Sequence, residues 1–370
     1  MTEPSCRACH SRSGAVVLDL GAQPTCEYFP AFDDPGPDPV YPLQMWLCSS
    51  CGLAQLASGP TVPEEPQVAA AAALVAQIAD AVQRVGGAGL LPSGARVAEY
   101  GSPHGGSWLG LLMSQGMRVA GDHEPAEVIV DCIGLMHAPD QAGALAARAA
   151  RLTGDGVLLL QYHSLETIVR RRQCYALRHG HYAYYSATAL TTMLAGHGLV
   201  PFAAWLFDLY GGSVLLAARR GHPGGQLPDR SVEALLEQEA RAGVRDAAVL
   251  CGLQRDATSQ AAALHAWLSA ERASGHNVLG YAAASRAVAQ LVRSGVDSSL
   301  LPAVADSSQS KQGLRMPGTD IPIISPAQLA ARRPHSVLLF VPDLLEEVRS
   351  AYPEIEASGS RWVDAESLSS

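Results

Sequence analysis

Residues 95–112 read ARVAEYGSPHGGSWLGLL, the pattern of a strand, a glycine-rich turn and the start of a helix. The apolar run ends at Glu99 and Gly101, and the turn contains Gly105. An acidic residue at a strand end before such a turn suits a nucleotide-type cofactor such as S-adenosylmethionine (SAM), because the backbone and the helix N-terminus approach the ligand closely. An ordinary strand, turn and helix is an equally open interpretation of this motif alone.

The segments after this motif continue the alternation of strand and helix. A short strand is predicted at 117–121, with Glu124 just beyond it, where a carboxylate could bind ribose hydroxyls. Another strand is predicted at 127–133, followed by GLMHAPD, a helix and the strand VLLLQYHS. This order predicts an α/β fold with a mostly parallel sheet.

Length and composition restrict the class of protein. A chain of 370 residues predicts two or three domains, and 48% hydrophobic residues can form a sizeable core. A net charge of −9 argues against nucleic acid as a partner. No apolar run reaches the roughly 18 residues of a membrane span, and the start MTEPSCRACH lacks the apolar core of a signal peptide. We therefore expect a cytoplasmic protein with no membrane partner.

Two CxxC pairs near the N-terminus predict a zinc site, with the ligands Cys6, Cys9, Cys48 and Cys51. Each pair can place two thiolates on one metal ion, and the two pairs together complete a tetrahedral Zn–S₄ site. Four protein ligands leave no open position, so this zinc is expected to be structural. A redox or disulfide role for the pairs is the alternative.

A second nucleotide-type fold is expected in the C-terminal part. Residues 231–270 have a helical pattern, and HNVLGYAAASRAVAQLV then indicates a strand, a small-residue turn and a helix whose N-terminus could take a pyrophosphate. Close packing of helix and strand is the structural alternative for these small residues.

Taken in order, short motifs along nearly the whole chain resemble the zinc-containing, SAM-dependent sugar C-methyltransferases of antibiotic biosynthesis. The motifs are CRAC, LDLGAQP, YPLQMWLCSSCGLAQL, EYGSPHGG, GDHEPA, GLMHAPD, HGHYAYYS, AGHGLV, YGGSV, NVLGYAAASRA, DSSQSKQG and PGTDIPI. The resemblance implies C-methylation beside the ketone of a nucleotide-activated deoxysugar, with SAM as methyl donor. It also implies a zinc-binding domain at 1–62, a Rossmann-like methyltransferase-type domain at 63–222 and a second Rossmann-like domain at 223–370.

The central domain is expected to lack one edge unit. Between GDHEPA and VIVDCIGLMHAPD the relatives carry a helix, the third strand of the sheet and another helix, and this chain has almost nothing there. Loss of an edge unit leaves the remaining strand ladder intact. It also removes one wall of the adenine pocket, so the resemblance implies weaker packing of SAM.

The resemblance also gives candidate site residues. Removal of an α-proton needs a base, and histidine suits this role because its pKa lies near working pH. The catalytic candidates are His137, His179, His181 and Tyr210, the last standing where relatives have a histidine. The substrate candidates in the C-terminal half are Tyr281, Ser285, Arg286 and Lys311. Core packing or local hydrogen bonding is the alternative for each.

Three functions follow from these observations. The first is SAM-dependent C-methylation of a nucleotide-sugar. The second is proton-transfer chemistry, such as epimerisation or elimination, on a related small molecule without a methyl donor. It is suggested by departures from the family, such as Gly180 where relatives place a carboxylate between two histidines. The third is a non-catalytic role as the partner of another biosynthetic protein.

Overall fold

The computed structural model describes residues 4–34, 36–58, 72–103, 105–221 and 229–369, apart from the side chains of Tyr210 and Ser369. The predicted domain boundaries at 62/63 and 222/223 lie outside the described residues. The described strands form three sheets, named here the N-terminal, central and C-terminal sheets.

The N-terminal sheet is antiparallel and has the strand order β1-β2-β3-β8. Its first three strands are β1 (Gly14–Pro24), β2 (Val40–Cys48) and β3 (Ala54–Leu56). Its fourth strand, β8 (Ala183–Tyr184), comes from the HGHYAYYS motif, well inside the segment predicted for the central domain. This pairing ties the HGHYAYYS segment to the zinc-binding part of the chain.

The central sheet has six strands in the order β5-β4-β6-β7-β10-β9. These are β4 (Arg96–Gly101), β5 (Arg118–Val119), β6 (Ala126–Cys132), β7 (Leu152–His163), β9 (Leu199–Phe207) and β10 (Ser213–Arg220). Strands β5, β4, β6 and β7 are parallel, whereas β10 runs antiparallel to both of its neighbours. The two-residue strand β5 forms one edge, so the sheet carries no further strand beyond β5 among the described residues, as the missing edge unit predicts.

Helices cover both faces of this sheet. The helices of this part are α1 (Ala72–Gly87), α2 (Leu109–Ser114), α3 (Gln141–Arg151), α4 (Leu165–Arg170) and α5 (Ala187–Ala195). All but α4 pack on the central sheet, whereas Leu165 and Ile168 of α4 pack in the core cluster of the N-terminal sheet. The buried face of α1, with Ile78, Ala81 and Val85, packs with Trp108 and strand residues in one core cluster. Helix α3 begins at a capping residue, Asp140, whose carboxylate accepts from the Gly143 N–H.

The C-terminal sheet is fully parallel, with the order β13-β12-β11-β14-β15. Its strands are β11 (Val278–Tyr281), β12 (Val304–Ala305), β13 (Ile323–Ile324), β14 (Ser336–Leu339) and β15 (Arg361–Asp364). The helices of this half are α6 (Arg230–Ala242), α7 (Ala247–Leu250), α8 (Gly252–Ala273), α9 (Ser285–Ser294), α10 (Pro326–Arg332), α11 (Leu345–Ala351) and α12 (Pro353–Ala357). This strand order, 3-2-1-4-5 in chain sequence, is that of a doubly wound nucleotide-binding sheet and confirms the second Rossmann-like unit.

The four predicted zinc ligands converge at one end of the N-terminal sheet. The four Sγ atoms lie within 4.8 Å of one another, with 3.5 Å between Cys6 and Cys51 and 3.6 Å between Cys9 and Cys48. Zn–S bonds of about 2.3 Å in a tetrahedron place sulfur atoms about 3.8 Å apart, so the cluster fits zinc. None of the described helices is long and apolar enough to cross a membrane.

Candidate active site

A cavity of about 250 Å³ lies between the central and C-terminal sheets. On one side it is lined just beyond the carboxyl ends of the paired strands β4 and β6, by Ser102, Ile133 and His137. On the other side it is lined by the start of α9, with Ser285 and Arg286. Each location is the crossover point of its sheet. There, successive strands stop being added on one side of the first strand, β4 or β11, and begin to be added on its other side. Ligands of doubly wound sheets bind at such points, so this cavity is the candidate active site.

His137 ends a 3₁₀ turn, Leu135–His137, directly after β6. Its Nε2 lies 3.4 Å from the Ser102 hydroxyl, and its ring packs edge-on against the ring of His181 at 4.8 Å between centroids. The cavity therefore brings together two of the predicted histidines, which are 44 positions apart in the chain.

Asp131 holds this turn in place from below. Its Oδ1 accepts from the backbone N–H groups of Gly134 and Leu135 at 2.8 and 2.9 Å, and its Oδ2 accepts from Arg148 Nε at 2.6 Å. Asp131 is fully buried, and burial raises the pKa of its carboxyl. A buried carboxylate held by two backbone N–H groups and a guanidinium supports the neighbouring His137 rigidly.

His181 is buried and contacts the side chain of Arg178. Arg178 Nε donates to His181 Nε2 at 2.8 Å, and a second guanidinium nitrogen approaches the same atom. Arg178 also lines the cavity. The catalytic role of His181 stays a prediction, and its Nε2 accepts from a cation in this arrangement.

His163 is a cavity residue that our sequence reasoning missed. It ends β7, and burial, with Arg178, Arg286 and His137 nearby, lowers its pKa to about 3. Its ring stays neutral at physiological pH. The sequence held a signal for it, because a histidine at the carboxyl end of a parallel strand occupies the same kind of position as His137.

Of the other two catalytic candidates, His179 does not line the cavity. The His179 ring lies against Tyr41 with Nε2 3.2 Å from the Pro42 carbonyl, and burial lowers its pKa. His179 is thus part of the packing on the N-terminal sheet, which makes a base role unsupported. Tyr210 lies in a 3₁₀ turn, Leu209–Gly211, but its side chain lies outside the described part of the chain.

Of the candidate cofactor residues, Gly105 lines the cavity and Glu99 does not. Gly105 has a φ of +87°, a left-handed conformation that a glycine adopts without strain. Glu99 instead accepts from Ser107 Oγ at 2.5 Å and from Trp108 N at 2.6 Å, and so caps the start of α2. Gly101 ends β4 and pairs with Ile133 across the crossover point.

Glu124 is exposed at the outer end of β5. Its carboxylate accepts from the Gly121 N–H at 2.9 Å and pairs with Arg96 at 3.2 Å. The Gly121 N–H, followed by Arg96, lowers the pKa of this carboxyl. The glycine turn therefore fits SAM. Glu99, expected beside the cofactor, and Glu124, expected at its ribose, both have other partners.

The substrate candidates divide in the same way. Ser285 and Arg286 line the cavity, and Arg286 pairs with Glu366 at 3.3 Å. Tyr281 is buried behind them against Tyr352 and Trp362, and burial raises its pKa. It acts there as a core residue.

Lys311 is a link between segments rather than a cavity residue. Its Nζ donates to the Ala283 carbonyl at 2.8 Å and lies 4.6 Å from the centre of the Phe29 ring. Its predicted substrate contact is therefore not supported by its position.

Comparison with known proteins agrees with the architecture of a zinc-containing methyltransferase. The family model of the C-methyltransferase C-terminal domain matches residues 208–365, and that of a zinc binding domain matches residues 6–62. The chain is also 25% identical to C-methyltransferase NovU of Streptomyces niveus, over 97% of this chain and 94% of that protein. These similarities confirm the predicted resemblance to the zinc-containing C-methyltransferases.

The alignment with NovU spans 401 positions, more than the 370 residues of this chain, so NovU carries residues that this chain lacks. This agrees with the shortened central part.

Two solved methyltransferase structures are more distant. The 1,6-didemethyltoxoflavin-N1-methyltransferase of Burkholderia thailandensis, bound to S-adenosylhomocysteine, is 16% identical over 41% of this chain and 79% of its own, with a TM-score of 0.30. The magnesium protoporphyrin IX methyltransferase of Synechocystis PCC 6803 is 11% identical over 40% of this chain and 83% of its own, also at 0.30. TM-scores this low support no conclusion about the activity of this chain.

Proposed function

We propose that this protein methylates a carbon next to the ketone of a nucleotide-activated sugar in natural-product biosynthesis, with SAM as the methyl donor. The observation that carries the proposal is the cavity between the two crossover points. There, imidazole groups from the central part face a helix N-terminus and an arginine from the C-terminal part.

His137 is the proposed base. It would take the α-proton, and the electron pair of the broken C–H bond would move to the carbonyl oxygen to give an enolate. SAM, when bound, would supply an electrophilic methyl group: the enolate carbon would form the new C–C bond, and the sulfur would keep the electron pair of the broken C–S bond. The nearby His163 is neutral because its pKa is low. It therefore does not repel the imidazolium that would form at His137.

The C-terminal side is the proposed nucleotide site. Helix α9 begins at Ser285 without a side-chain cap on its N-terminus. Its N-terminal N–H groups and Arg286 would meet the diphosphate. Glu366, paired with Arg286, would then have to share that cation with the ligand.

Proton-transfer chemistry without a methyl donor is the second candidate. The internal partners of Glu99 and Glu124 favour it, because neither carboxylate faces the cavity. The catalytic histidine is common to both candidates, so they differ in the donor rather than in the base.

A non-catalytic partner role has one observation of its own. Leu111, Met113 and Val119 are exposed near the β5 edge, where the missing unit would pack. A partner protein that covers this edge would bury them.

Calorimetric titration of the zinc-loaded protein separates these functions. We expect SAM to bind in the micromolar range, and thymidine diphosphate to bind independently of it. If the nucleotide binds but SAM does not bind even at millimolar concentration, proton-transfer chemistry becomes the proposed function. Binding of neither ligand would leave the partner role.

Solvent deuterium exchange tests the base without a methyl donor. Incubation of a nucleotide-linked ketosugar in D₂O should label the carbon beside the ketone, and His137→Gln should abolish the labelling. His179→Gln is the matched control, because His179 lies outside the cavity, and labelling should persist. An equal loss in both variants would contradict this assignment.

A further inference from the structure

Arg178 joins three parts of the chain at the cavity. Besides His181, its guanidinium donates to the hydroxyl of Ser285 at the start of α9 and lies 3.7 Å from the carboxylate of Glu27 in the N-terminal region. Its side chain is 20% exposed and lines the cavity. The group is therefore fixed in position before any ligand enters.

The contact with His181 has a direct chemical consequence. A guanidinium has five N–H donors, no acceptor, and stays protonated in proteins. His181 Nε2, which receives the Arg178 Nε–H at 2.8 Å, must therefore offer its lone pair. The ring proton must then lie on Nδ1, and the doubly protonated imidazolium is disfavoured while this bond exists.

The same guanidinium brings positive charge into the cavity. A carboxylate oxygen of Glu27 lies 3.7 Å from Arg178, and one of Glu366 lies 3.3 Å from Arg286, so both guanidinium groups reach the cavity from different sides. Burial, and after it the charges of Arg178 and Arg286, lowers the pKa of His163, which lines the same cavity.

We propose that Arg178 is a positioning and charge-stabilising residue of this site. It fixes His181 with its proton on Nδ1, and it presents a positive charge to an anionic oxygen of the substrate, an enolate or a carboxylate. The second part rests on the proposed function, because an enolate arises there from removal of the α-proton. Preorganised cations aimed at a developing oxyanion lower the barrier without reorganisation. His137, rather than His181, is then the base.

The tautomer can be tested without any substrate. In protein labelled with ¹⁵N-histidine, NMR should show His181 with a protonated Nδ1 and an unprotonated Nε2, its signals being assigned with His181→Gln. Arg178→Met removes this donor from Nε2, so the chemical shifts of the two ring nitrogens should change. Arg241→Met removes a surface arginine as the control and should leave the spectrum unchanged. A proton on Nε2 in the native protein, or unchanged shifts in Arg178→Met, would refute the first part.

The charge can be tested with oxalate, a planar dianion that resembles an enolate. We expect Arg178→Met to weaken oxalate binding at least tenfold and Arg178→Lys to keep part of the affinity. Native protein that binds oxalate no better than Arg178→Met would overturn the second part. Equal zinc content and melting temperature of the variants show that the fold is intact. Because neither assay uses SAM or a ketosugar, failure of this proposal is distinguishable from failure of the proposed function.

Discussion

The substitution Arg148→Met tests the support under His137. Arg148 places Nε and a terminal nitrogen 2.6 and 2.5 Å from Asp131 Oδ2, and both side chains are buried. Methionine keeps much of the volume and removes the charge. The Asp131 carboxylate would keep its two backbone donors and lose its counter-ion.

Removal of one partner of a buried ion pair costs about 3–5 kcal/mol, because the other charge stays buried and unpaired. The loss should depend on pH. Burial raises the pKa of Asp131 in the folded protein, and without Arg148 the shift should increase. The folded variant then binds more protons than the unfolded chain, so its stability falls as pH rises above the unfolded value of about 3.9. The variant should therefore be least destabilised near pH 4. As pH rises further, its free energy of unfolding should fall by about 1.4 kcal/mol per pH unit until the folded-state pKa of Asp131 is reached.

Hydrogen exchange of the β6 amides measures the free energy of local opening around Asp131. A local measurement is needed because the three sheets of this chain need not unfold together. Arg151→Met is the matched control on the same helix, because Arg151 donates to backbone carbonyls at the surface. We expect the control to change the free energy of opening by less than about 1 kcal/mol. A loss below about 1 kcal/mol in Arg148→Met, or one that does not change with pH, would refute the reasoning.

Three further predictions concern other parts of the chain. Chelation should remove about one zinc ion per chain and expose residues 4–58 to protease, because metal binding contributes to folding of such small regions. Arg315→Met should lower the free energy of unfolding by about 3–5 kcal/mol, measured by proteolysis in a urea gradient at pH 7. The Asp38 carboxylate, whose side chain is buried, loses both of its 2.7 Å hydrogen bonds from the Arg315 guanidinium. Arg315 lowers the pKa of Asp38, so this contribution is present above about pH 4, and the difference from the native protein should narrow below it. Gly212→Ala should lower the free energy of unfolding by about 1–3 kcal/mol in thermal melts, because φ is +133° and the new Cβ would lie 2.8 Å from the Thr167 side chain. Gly110→Ala is the control and should cause no loss of stability, because no atom lies within 4 Å of its new Cβ.

Features encoded by local pattern were predictable from the sequence. The CxxC spacing predicted the four thiolates that converge, and the alternation of strands and helices predicted the parallel strands of the central sheet. The short link after GDHEPA predicted that β5 would be the sheet edge. Each of these depends on neighbouring residues and a fixed period.

The site could be predicted only in part because its contacts join distant segments. Arg178 gains its role from Glu27 and Ser285, which are 151 and 107 positions away, and no spacing rule connects the three. His179 and His181 looked equivalent in sequence. The pairing of β8 with β3 directs the first toward the N-terminal sheet and leaves the second at the cavity.

The shortened edge and the cavity lie on different sides of β4, and this separation bears on function. The exposed edge is β5, whereas the histidines follow β6 and β7, on the other side of β4. Loss of a unit beyond β5 can therefore weaken the hold on a donor without moving His137, which is fixed by Asp131 and Arg148. We therefore expect proton transfer at His137 to tolerate perturbation of the β5 edge, and methyl transfer to be the step that such a perturbation slows.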